Sequence, residues 1–231
     1  DKRKTIALIE KYFQKIKKGK TSSQKKTVIS QKKPAFLFKF KKTDQAHLII
    51  GWRAFSRFNE KRYPLAVLEV ILGKGMSSRL FQKIREELGA AYYIHSFSDL
   101  GNDRGFLGIS AGLALDKLEE ALRAILKESE KLKEELISAQ ELKKAKDYLK
   151  GQLTLSLETS DQHAFFYGFQ QFFYHRLFPL KEIFKKIDKV TAKDLLKLSR
   201  EILQPEKLNL AIIAPLSNKE KSRFQKNFKF L

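Results

Sequence analysis

LGKGMSSRLFQKIREELGAAYY, residues 72–93, is the stretch whose reading decides the fold. Gly73 and Gly75 bracket Lys74, and a serine pair, Ser77 and Ser78, follows. The spacing matches neither a P-loop nor a dinucleotide fingerprint, and the apolar run before it, YPLAVLEVIL, has helical rather than strand character. The glycines therefore read as a turn from one helix into the next. Ser77 or Ser78 can cap the second helix, which runs to about Leu88 on a stripe of Phe81, Ile84 and Leu88. Gly89 stops it. Arg85 lies beside the stripe near the helix end, where a cation is favoured. In the strand that follows, alternation turns Tyr92 and Tyr93 to opposite faces, so that one can enter the core and the other a cavity. Arg85 and Tyr92 flank one tight turn. Arginine offers forked donors to a carbonyl or carboxylate, and tyrosine offers a single donor. Chemistry alone favours a structural role, in which Arg85 pairs with a nearby glutamate and Tyr92 packs.

Outward from this stretch, residues 3–18 read as an amphipathic helix through Ile6, Ile9, Phe13 and Ile16. The polar segment 19–33 reads as a linker that Pro34 ends. AFLFKF and AHLIIGWRAF read as strands joined by a KKTDQ turn. AAYYIHSFSDL and RGFLGISAGL form a hairpin around GND. Helices follow at about 116–134, 138–158, 161–175, 180–187 and 191–203. LNLAIIAP is a buried strand, and SNKEKSRFQKNF a closing helix. Strands, a long helical run and a returning strand make an α+β fold, an antiparallel sheet packed against helices.

The 231 residues include 19 Phe, one Trp, one Met and no Cys. Without cysteine there are no disulfides and no thiolate ligands, which fits a reducing compartment and favours the cytoplasm. No apolar run approaches the roughly 20 residues of a membrane-spanning helix. The net charge is +21. Residues 1–42 hold 15 Lys+Arg against 2 Asp+Glu. Such an arm could meet nucleic acid or an anionic membrane. No recognition helix or aromatic–basic motif accompanies it, so nucleic acid is not favoured, and lysine-solvated surface is the simpler reading. The histidines, His47, His95, His163 and His175, never fall one helical turn apart, so no metal pair is expected. No nucleophile motif stands out either.

LGKGMSSRLFQKIREELGAAYYIHSFSDLGNDRGFLGISAGL, residues 72–113, resembles the signature of the M16 metallopeptidases, the insulinase-like, pitrilysin-like and mitochondrial processing peptidase-like enzymes, in their C-terminal half. QAHLIIGWRAF, YPLAVLEVIL, ELKKAKDYLKGQLTLSLET and a later helix bearing Gly168 agree in order. The resemblance covers about residues 28–216. It implies a LuxS/mitochondrial processing peptidase-like metallohydrolase half. In that family an N-terminal half carries H-x-x-E-H on a helix, with zinc bound by its histidines. The C-terminal half binds no metal and faces the zinc site with an arginine and a tyrosine seven residues apart. Arg85 and Tyr92 match that pair. This chain lacks H-x-x-E-H, so the resemblance implies no cofactor of its own, zinc in a partner half, and no hydrolysis alone. The expected partners are an N-terminal zinc-binding half or catalytic subunit and a peptide substrate, with homo-oligomers possible in isolation. Residues 1–18 are expected to be the closing helix of an absent N-terminal half, 19–33 the linker, and 34–231 the C-terminal domain. Two alternatives are a catalytically dead peptide-binding or assembly subunit and a binder of nucleic acid or anionic membrane.

Overall fold

A computed structural model describes residues 1–17, 19 and 25–227. Its helices are α1 (Lys2–Phe13), α2 (Arg62–Gly73), α3 (Leu118–Glu134), α4 (Ala139–Leu155), α5 (Ser160–Tyr174), α6 (Leu180–Asp188), α7 (Ala192–Ile202) and α8 (Asn218–Asn227). Its strands are β1 (Ala35–Phe40), β2 (Ala46–Ala54), β3 (Ala91–Leu100), β4 (Gly105–Leu113) and β5 (Leu208–Ala214). Residues 20–24, within the expected linker, and 228–231 lie outside the described set, as does the last residue of the helix read over 3–18.

The five strands form one sheet in the order β1-β5-β2-β4-β3. β1 and β2 are not a hairpin, although KKTDQ reads as the turn of one. The returning strand β5 inserts between them, parallel to β1 and antiparallel to β2. The remaining neighbours are antiparallel.

Period-2 patterning gives the sheet two unlike faces. Leu48, Ile50 and Trp52 of β2, Leu107, Ile109 and Ala111 of β4, and Leu210 and Ile212 of β5 point inward and are buried. Against them pack Leu65, Leu68 and Leu72 of α2, Leu122 and Ile125 of α3, and Leu195 and Leu198 of α7. Truncating any one of these leucines to alanine should cost about 2–5 kcal/mol. The opposite face carries His47, Ile49, Arg53, Tyr93, His95, Phe97 and Phe106, none of them buried.

The turn after α2 is set by contact. Gly73 lies so close to β3 that an added Cβ would fall 2.5 Å from the Ser96 nitrogen. Ser96 Oγ donates to the Glu69 carbonyl oxygen at 2.6 Å. The Glu69 carboxylate, almost wholly buried, accepts from Ser98 Oγ at 2.6 Å and pairs with Lys74 Nζ at 2.6 Å. A buried carboxylate is tolerated only with such partners. Lys74, between the two glycines, is therefore a structural cation.

Candidate functional site on the open sheet face

The segment after Gly75 is not a regular α-helix. Phe81–Glu87 forms a π-helix, in which the Leu88 N–H donates to the Lys83 carbonyl at 3.2 Å. Such insertions recur at functional sites. Neither serine caps it through its side chain. Ser78 Oγ instead donates back to the Gly75 carbonyl at 2.7 Å. The reason is geometric: the chain is already helical at Leu80, so Ser78 closes the preceding turn. The helix ends as Gly89 takes φ of +56° and the Ala90 N–H reaches the Ile84 carbonyl at 3.0 Å. That is the glycine-terminated cap expected where a helix must reverse sharply into a strand.

The two arginines of this segment differ. Arg79 makes a forked pair with Glu141 of α4, at 2.8 and 2.9 Å. The hydrogen bond to Glu141 holds its pKa above the ordinary arginine value. Arg85 is exposed, and among the described residues its one polar or ring contact is cation–π, 5.1 Å from the Phe81 ring centroid. An exposed contact of that kind is worth only about 0.5–1 kcal/mol. Arg79 is thus committed to the fold, while the Arg85 guanidinium makes no hydrogen bond or ion pair among the described residues.

Tyr92 occupies a β-bulge. Ala91 pairs with Leu113 and Tyr93 with Gly112, which leaves Tyr92 without a partner across the ladder. Bulges re-aim a side chain at a sheet edge. Neither tyrosine enters the core, contrary to the simple alternation. Tyr92 is 61% exposed and its hydroxyl has no described hydrogen bond, while Tyr93 turns onto the open face. Arg85 and Tyr92 thus flank the Gly89 turn at the β3 edge, both exposed, with no ion pair or hydrogen bond among the described residues.

Next to them lies an arrangement that was not foreseen in the sequence. His47 Nδ1 and Tyr93 Oη are 3.1 Å apart, with the donor set by the imidazole tautomer. The rings of His47, Tyr93, His95 and Phe97 follow one another at 6.1–6.2 Å, and Phe97 meets Phe106 edge-on at 5.6 Å. The period-2 spacing of Tyr93, His95 and Phe97 was the available signal. At the far end, a groove of about 490 Å³ is lined by Leu37, Ile49, Arg53, Phe106 and Ala211. Among the described residues, no three metal-ligating side chains converge. His47 and His95 flank a tyrosine rather than a carboxylate or third histidine, so this donor set does not fit a zinc ion.

Fold and surface together define an α+β domain with one helix-covered and one open, aromatic sheet face. The family described as the peptidase M16 inactive domain matches residues 1–149. The chain belongs to the peptidase M16 family and corresponds to its inactive domain. An uncharacterized zinc protease of Bacillus subtilis, YmxG, is 33% identical over 211 residues, which are 91% of this chain and 51% of that protein. An uncharacterized zinc protease of Streptomyces coelicolor is 31% identical over 183 residues, 79% of this chain and 40% of that protein. The chain spans about half the length of the curated relatives it matches. In fold it is similar to a Helicobacter pylori protease, with a TM-score of 0.82 at 20% identity over 93% of this chain and 53% of that one. A peptidase M16 inactive domain from Pseudomonas fluorescens gives 0.82 at 18% identity over 94% of this chain and 52% of that one.

Proposed function

We propose that this chain is the non-catalytic half of a zinc-dependent peptidase, and that Arg85 and Tyr92 serve a peptide-cleaving site whose metal lies in a separate H-x-x-E-H half. The observation that carries this reading is the pair itself: two free, exposed donors on either side of the Gly89 turn. A fold role would have given Arg85 a carboxylate, as Arg79 has.

On this reading the partner half supplies zinc, the activated water and the general base. The residues of this chain bind and orient. The Arg85 fork takes a substrate carbonyl or carboxylate, and the Tyr92 hydroxyl donates one hydrogen bond to the oxygen on which charge develops. Preorganised donors of this kind act only where a nucleophile is present, so the chain alone is not expected to hydrolyse peptides. The stripe of Ile6, Ile9 and Phe13 on α1 is exposed along its whole length. It supports the reading of α1 as a helix that belongs against the zinc-bearing half.

The test is reconstitution. Mixing the chain with an H-x-x-E-H half from the same source should give peptide cleavage that a chelator abolishes and added zinc restores. Peptide binding by this chain alone, with no cleavage in the mixture, would instead favour a dead binding subunit.

A further inference from the structure

We propose that the outer face of α5 is a self-complementary docking surface on which a second copy of this chain sits, with the two α5 helices antiparallel. Helix α5 is apolar on two sides. Its inner side is anchored: the Arg57 guanidinium lies 3.8 Å over the Phe173 ring, and Tyr174 Oη donates to the Arg57 carbonyl at 3.2 Å. Its outer side carries Ala164, Phe165, Gly168, Phe169 and Phe172 at helical spacing. Phe165, Phe169 and Phe172 are 66%, 58% and 72% exposed. An apolar stripe on a helix is normally buried against another element, so the outer one calls for a cover as the inner one does.

Three observations select a second copy as the cover. The first is shape. The phenylalanines stand as knobs beside a notch floored by Ala164 and Gly168. A Cβ at Gly168 would meet nothing within 4 Å, so the fold of one copy gives no reason for glycine there. A mid-helix glycine costs about 1 kcal/mol relative to alanine. A close helix–helix approach would supply the reason. With a two-fold axis at Gly168, Phe172 of one copy lies over Ala164 of the other, so knob meets notch twice, as an isologous contact requires.

The second is charge. Of 231 residues 47 are Lys or Arg, yet none falls between Gly151 and His175. This is where two strongly cationic copies can meet without opposing lysines. The same register brings Asp161 beside His175 of the other copy and opposes the helix dipoles favourably.

The third is area. Six phenylalanines at these exposures would bury about 600–1,000 Å². With their rim this reaches the ~1,000 Å² at which specific interfaces begin. The contact is independent of the peptidase reading.

Two experiments test it on the 231-residue chain. Sedimentation over a concentration series should show a dimer, and Phe169→Lys, at an exposed position, should weaken it at least about tenfold with unchanged thermal melting. The chain has no cysteine. Gly168→Cys should therefore form a disulfide-linked dimer under mild oxidation, while His163→Cys, exposed on the other side of α5, should not. A monomer at all concentrations would overturn the proposal. So would a dimer indifferent to Phe169→Lys, or equal crosslinking at both positions.

Discussion

Gly73 and Arg85 lie twelve residues apart in one block of sequence and have opposite duties. Gly73 keeps a side chain out of the contact between α2 and β3. Adding a methyl group there forces Ser96 to move and disturbs the buried Glu69 network. Gly73→Ala should therefore destabilise the chain by about 1–3 kcal/mol, as overpacking does. Urea denaturation measures this directly, and a change within error would show that the contact relaxes freely. Arg85 bears no such load, so Arg85→Ala should shift the same curve by no more than about 0.5–1 kcal/mol, the worth of its exposed contact with Phe81. The sequence singled out Arg85 and Tyr92 only through the resemblance of residues 72–113 to the M16 signature; the turn that they flank was legible without it, because a helix stop followed by a strand is a local signal. It could not show that Tyr92 sits in a bulge. That depends on which residue of β4 faces it, a pairing decided about twenty residues away.

At the scale of elements, the helices were the most legible part. Capping side chains and hydrophobic period act within a few residues. Helix α7 shows it: Thr191 Oγ1 accepts from the Asp194 N–H at 3.1 Å, and the Asp194 carboxylate accepts from the Thr191 N–H at 2.9 Å. Hydrogen bonds donated to that carboxylate, by the Thr191 hydroxyl at 2.7 Å foremost and then by the Thr191 N–H, hold the Asp194 pKa below its ordinary value. A lowered carboxylate pKa stabilises the fold at pH above the unfolded value, and that stability is lost as pH falls through the folded one. Asp194→Asn should thus cost up to about 1 kcal/mol at neutral pH, less for an exposed group, and the difference from the wild type should shrink by about pH 3. Denaturation at the two pH values checks the sign. A gap that widens in acid would contradict it. What the sequence hid at this scale is non-local. Nothing in KKTDQ indicates that β5, more than 150 residues later, separates β1 from β2. The π-helix was hidden because its apolar stripe matches that of an α-helix.

For the whole molecule, the two-faced sheet joins fold to function. One face is sealed by α2, α3 and α7. The other presents an aromatic ladder, a groove and, at its edge, the two unpaired donors. Burial does not require this second face to be so apolar, which fits a surface that works against another body. The family could be read from residues 72–113 because that long stretch resembles the M16 signature, and the α+β architecture from the order of helix-period and strand-period segments along the chain. The aromatic ladder could not, since β2 comes to lie beside β4, and His47 within reach of Tyr93, only in the folded sheet. The central claim is that Arg85 acts on substrate rather than on the fold. It is tested most directly by the kcat/KM of Arg85→Ala after reconstitution with a zinc-bearing half, measured beside its melting temperature. The account predicts a loss of about a hundredfold or more, typical of a removed transition-state donor, with melting lowered by at most about 4 °C. Full activity in the variant, or a loss that merely tracks unfolding, would contradict it.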